Sequence, residues 1–141
     1  MIQSTLRFDP MRILGIDYGD KKIGLAFGDS EARVAVPLDV VPNKGDATIQ
    51  TFSKRVKNED IDFIVVGVPL STGGHHSSAQ LEKTRAFIQK LTAAVSVPVM
   101  EEDESFTTAE SIRLQREEGA QADEDALAAM LIVQAYIDQN G

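Results

Sequence analysis

The chain has 141 residues and no cysteine, which excludes disulfides, zinc–thiolate centres and thiol nucleophiles. Its 43% hydrophobic and 26% charged content suits one globular domain with a sizeable core, and no apolar run approaches the roughly 20 residues of a membrane span. A net charge of −8 argues against a phosphate-rich partner, unless the charge is unevenly placed.

Residues 1–10 show no clear periodicity and end in Asp9-Pro10. They are expected to be a poorly ordered extension, with Met11 a plausible start of its own. The run Ile13-Leu14-Gly15-Ile16 has no polar face, as in a strand buried on both sides, and ends on Asp17. Tyr18-Gly19-Asp20 reads as a tight turn, for which Asp17 could be no more than a cap. In the returning strand Ile23, Leu25 and Phe27 share one face, and Gly24, Ala26 and Gly28 the other. So small a face admits close approach, either of a helix or of a substrate.

A third strand is expected over 32–41, with Pro37 favouring an edge position or a break in its ladder. After a loop at 42–46, Asp46 is placed to cap a helix over 47–58. That helix aligns Ile49, Phe52 and Val56 inward and turns Lys54, Arg55 and Lys57 outward. A buried strand follows over 62–69, then the polar loop 70–78 with His75 and His76, which read as loop surface. A helix over 79–91 points Leu81, Thr84, Phe87, Ile88 and Leu91 inward. A short strand over 96–100 runs into Glu101-Glu102-Asp103-Glu104. The capping-box spacing of Thr107 and Glu110 predicts a helix to about 118, and a last helix over 125–139 presents Leu127, Met130, Leu131, Val133 and Ile137. Helices alternating with buried strands make an α/β fold.

Charge is uneven along this order. Residues 1–100 hold 12 basic and 11 acidic side chains, while residues 101–141 hold 2 and 11. Much of that acidity suits a solvated face, but three acidic sites stand at comparable places. Asp17 ends the first strand, Asp103 and Glu104 end the last, and Asp125, beside Asp123 and Glu124, opens the final helix, whose dipole favours an ionised carboxylate. Such groups can converge on one rim of a sheet, where hard oxygen ligands suit Mg²⁺ or Mn²⁺ and phosphodiester hydrolysis. Lys21 and Lys22 sit beside Asp17, where a phosphate backbone would pass.

These residues resemble the YqgF family, nucleases of pre-16S ribosomal RNA that are also similar to RuvC-type Holliday junction resolvases. The matching pieces are Gly15-Ile16-Asp17-Tyr18-Gly19 with Lys22-Ile23-Gly24-Leu25-Ala26 and Asp29, then Val66-Gly67-Val68-Pro69-Leu70 with Gly73. Asp103-Glu104 with Thr107-Thr108, and Asp125-Ala126 with Ala128-Ala129 and Leu131-Ile132, complete the set. The resemblance covers Met11 to Gln139 and implies an RNase H-like fold: a mixed five-stranded sheet, second strand antiparallel, flanked by helices. It implies a single nuclease domain over 11–141 and a divalent-cation site with Asp17 first, Glu104 or Asp103 second and Asp125 third. Lys21, Lys22 and Thr107 would bind substrate. The implied partner is nucleic acid, pre-rRNA ahead of branched DNA, for a monomer or homodimer; a cytoplasmic location is the default expectation for a sequence showing neither a membrane span nor a signal-peptide pattern. Two positions depart from the family pattern, Lys22 and Ser105, where arginine is usual.

Two other classes compete with a nuclease. One is a nucleic-acid- or ribosome-associated binding module that keeps the fold with little catalysis. The other is an actin-like ATPase, which shares an Asp-Tyr-Gly turn but is expected to need a second domain over its nucleotide.

Overall fold

The strand Arg12–Asp17 (β1) is the central strand of a five-stranded sheet. This computed structural model describes residues 11–69, 78–104 and 123–140. β2 (Lys22–Asp29) is antiparallel to β1 and to β3 (Val34–Pro42), whereas β4 (Phe63–Val68) and β5 (Val99–Asp103) run parallel to β1. The expected mixed, RNase H-like arrangement is therefore present. Among the described residues no helix is long and apolar enough to cross a membrane.

Alternation along β1 divides the core in two. Leu14 and Ile16 join Ile23, Leu25, Ile64 and Val66 against Ile49, Phe52 and Val56 of α1 (Asp46–Asn58) and Phe87 and Leu91 of α2 (Ser78–Ala94). Ile13 joins Ala26, Phe63 and Val65 against Ala129, Ile132, Val133 and Ile137 of α3 (Glu124–Asn140) on the opposite face. The small face of β2 thus receives a helix. A Cβ on Gly15 or on Gly28 would overlap the Val133 side chain, so the glycines set how closely α3 approaches. This corrects the apolar stripe expected of the last helix. Leu127, Val133 and Ile137 are buried as expected, but Ala126, Ala129 and Ile132 complete the packed face while Met130 and Leu131 are half-buried. Side-chain size suggested one face; the fit of small residues to a glycine-lined sheet selected another.

Pro37 lies on an edge strand, as expected. The β2–β3 register jumps beside it, from Leu25–Asp39 to Ala26–Pro37, so Leu38 bulges out of the ladder. Asp46 does not cap α1. It is the first helical residue, and the cap is Gly45, at φ 65°, which offers no side chain. The preceding turn is held instead by Thr48, whose hydroxyl accepts from the Lys44 N–H and donates to the Pro42 carbonyl. Lys54 and Lys57 are exposed as expected, but Arg55 is half-buried and paired with Glu59 at 3.1 Å.

β5 begins three residues later than expected, because Pro98 has no N–H to give a ladder while β4 offers partners as far as Val68–Asp103. Two acids of the run are held in the strand by partners. Arg85 clamps Glu101 with two nitrogens at 3.1 and 3.2 Å, and buried Glu102 accepts from Gln139 of α3 at 2.8 Å. The loop bearing His75 and His76, the helix expected after Thr107, and Ser105 itself lie outside the described residues.

Candidate active site

Asp17 closes β1 on the α3 face of the sheet, two residues beyond Gly15. Its neighbours on both sides are glycines. Gly24 stands opposite it in the β1–β2 ladder, and Gly67 follows Val66, the partner of Ile16 on β4. Each glycine admits one further acidic residue. A Cβ on Gly24 would overlap the carbonyl of Asp125, and a Cβ on Gly67 would stand 2.6 Å from Glu104 Oε1. The missing side chain of Gly24 lets the start of α3 close beside Asp17, and that of Gly67 leaves room for Ile132 and the tip of Glu104.

Glu104 follows the last residue of β5, held by its N–H donating to the Val68 carbonyl at 2.7 Å. Its carboxyl stands within hydrogen-bond reach of that of Asp17, a contact that favours a proton between the two oxygens. Asp17 is held well above the ordinary carboxylate range, first by burial, then by the charge of Glu104 and the shared hydrogen bond, with Asp125 and Glu124 adding repulsion. Like-charged groups are thus gathered where water is scarce. A bound proton relieves them, and a bound cation would do so more fully.

Asp125 is freed for this place by its neighbour. Asp123 accepts the Asp125 N–H at 2.9 Å as the cap of α3, leaving the Asp125 side chain available. That carboxylate turns to Lys22, with Oδ2 at 3.1 Å from Nζ, and the ion pair raises the lysine's pKa. Lys21 is exposed. Its backbone carbonyl accepts from the Asn43 N–H at 2.9 Å, and the Asn43 side chain donates to the Gly19 carbonyl at 2.8 Å. Asn43 therefore clamps the turn that carries both lysines; as a loop asparagine before a helix it gave no sequence signal of that role.

The structure separates Asp103 from the other acids. Val99 packs on the α2 side and Met100 on the α3 side, so strand alternation puts Asp103 with Glu101 on the α2 side and Glu104 with Asp17. Among the described residues, no three acidic or histidine side chains already stand as a ready-made cation site. Asp17 and Glu104 are joined, and Asp125 faces them from the end of α3 while leaning on Lys22. Thr107 lies outside the described residues.

The family model for "RuvX: Holliday junction resolvase" matches residues 11–139. The chain belongs to this family. A relative from Pelotomaculum thermopropionicum, described as a "Putative pre-16S rRNA nuclease", is 37% identical over 138 residues, covering 93% of this chain and 89% of the relative. A second under the same description, from Syntrophus aciditrophicus, is 37% identical over 134 residues, covering 91% and 89%. Two solved structures share the fold at TM-score 0.60. They are the Fowlpox virus resolvase with Holliday junction DNA (12% identity, 92% of this chain, 98% of that one) and Thermus thermophilus RuvC with its junction substrate (16%, 92% and 96%). Asp17, Glu104 and Asp125 all fall within the segment matched to the RuvX model.

Proposed function

We propose that this chain is a divalent-cation-dependent nuclease that hydrolyses phosphodiester bonds in a structured RNA precursor, with the 5′ end of pre-16S ribosomal RNA as its substrate. The observation that carries the reading is the hydrogen-bonded pair Asp17–Glu104, gathered with Asp125 between two glycines. Nothing in the packing requires acids to crowd there, and the arrangement raises the free energy of the cation-free protein. The donor set is all oxygen and anionic, which fits Mg²⁺ or Mn²⁺. Asp17, Glu104 and Asp125 would hold the ion, which supplies Lewis-acid polarisation of the phosphodiester and compensates the charge of its transition state.

The chain's own groups contribute the rest. Glu104, tied to β4 through its backbone, orients Asp17. Asp125 is seated by its backbone on Gly24. Lys21 and Lys22 flank the pair and would contact the substrate's phosphates as single-point cations. RNA is favoured by the descriptions of the relatives at 37% identity. Branched DNA is the second reading, supported by the family description.

The test is cleavage of matched RNA and branched DNA under titrated Mn²⁺, wild type beside Asp17→Asn. Mn²⁺-dependent cleavage of the RNA, lost in the variant, is expected. Binding without cleavage in both proteins would mark a binding module, and cleavage surviving in the variant would remove the assigned site.

A further inference from the structure

We propose that Lys22 is a built-in competitor for the cation, holding the Asp125 carboxylate until a divalent ion displaces it and so coupling ion loading to release of an ammonium toward the substrate. The inference rests on the cation-site reading above. Lys22 opens β2 two residues before Gly24, on the same face, so its stem rises beside the place where Asp125 lies. Its ammonium is 3.1 Å from Asp125 Oδ2 and also feels Asp123 and Glu124. It therefore occupies the acidic field that a divalent ion would enter, on an oxygen that the ion would use.

Two properties make the contact displaceable. The Lys22 side chain is 57% exposed, so leaving Asp125 returns the ammonium to water at little cost. Lysine binds as one compact charge on a flexible stem, without the two-point grip a guanidinium has on a carboxylate. An ion arriving at Asp125 repels the ammonium, and the stem can swing outward over the rim. There a phosphate is its natural next partner. The same charge thus neutralises the site when it is empty and faces the substrate when it is loaded.

The test measures Mn²⁺ affinity without nucleic acid, by the electron paramagnetic resonance signal of free Mn²⁺, for wild type, Lys22→Met, Lys22→Arg and Lys21→Met. Lys21→Met removes the same charge one residue away and serves as the control for net charge. Lys22→Met is expected to bind Mn²⁺ about fivefold more tightly, the equilibrium weight of an ion pair at the upper end for exposed groups. Lys22→Arg, which keeps the pair, is expected to bind no more tightly than wild type, and Lys21→Met to stay within about twofold of it. Unchanged or weaker binding by Lys22→Met overturns the proposal, as does equal tightening by Lys21→Met. Failure of wild type to bind Mn²⁺ at all would overturn the cation-site reading beneath it, a distinct result.

Discussion

Asp17 stands opposite Gly24 in the central antiparallel ladder, and the main chain of Asp125 rests on that glycine. One missing side chain thus brings together residues 108 positions apart in sequence, counting from Asp17 to Asp125. On the parallel side, Gly67 leaves room for the Ile132 side chain and for the Glu104 carboxylate. The rim is built by subtraction: large side chains fill both cores, and glycines mark where the acids close.

Gly24→Ala is expected to lose stability and activity together. Alanine would recover about 0.5–1 kcal/mol of backbone entropy in a strand, but the methyl would meet the Asp125 carbonyl, and overpacking against a fixed group costs about 1–3 kcal/mol. The net effect is destabilising, and α3 must lift from Asp17. Urea denaturation beside a cleavage assay checks this. A variant as stable and active as wild type would show that α3 does not need the close seat.

Asp17→Asn is expected to abolish cleavage, by at least about 100-fold, while raising the Tm of the protein in chelator. Burial and the charge of Glu104 disfavour the ionised carboxylate, so a neutral amide of the same shape removes that penalty. Calorimetry in EDTA and single-turnover cleavage read the two effects. A fall in Tm would mean that the charge supports the fold.

The same shift fixes a pH dependence. The folded-state pKa of Asp17 lies above its unfolded value of about 3.9, so the folded protein holds this proton more tightly. Its contribution to stability is fully present below the unfolded pKa and is lost as pH rises through the folded one. The Tm advantage of Asp17→Asn over wild type in chelator should therefore widen from mildly acidic to neutral pH and shrink when millimolar Mg²⁺ is added. A difference independent of pH would contradict it.

Glu104→Gln and Asp103→Asn are expected to part company. Glu104 shares the α3 face with Asp17 and hydrogen-bonds it, whereas strand alternation turns Asp103 to the other side. Loss of cleavage by about 100-fold is expected for Glu104→Gln and no more than about fivefold for Asp103→Asn. Parallel kcat measurements under Mn²⁺ decide it. Equal losses would make both acids members of the site.

The amino-acid order by itself determined the strands, because Ile13 to Ile16 and Phe63 to Val68 are apolar on both faces and have no alternative to burial. It also placed Asp17, Asp103–Glu104 and Asp125 at the ends of elements, although β5 carries Glu101 and Glu102 inside it. Only the tertiary structure put Asp103 and Glu104 on opposite faces, because adjacent strand residues face opposite ways and the register with β4 sets which way each looks. It alone showed that a helix takes up the small face of β2, that Asp123 rather than Asp125 caps that helix, and that Lys22 reaches Asp125. Local pattern carries propensity and periodicity over a few residues. The distance between two carboxylates from opposite ends of a chain is fixed by how closely whole elements pack, and here that closeness was set by atoms the glycines do not have.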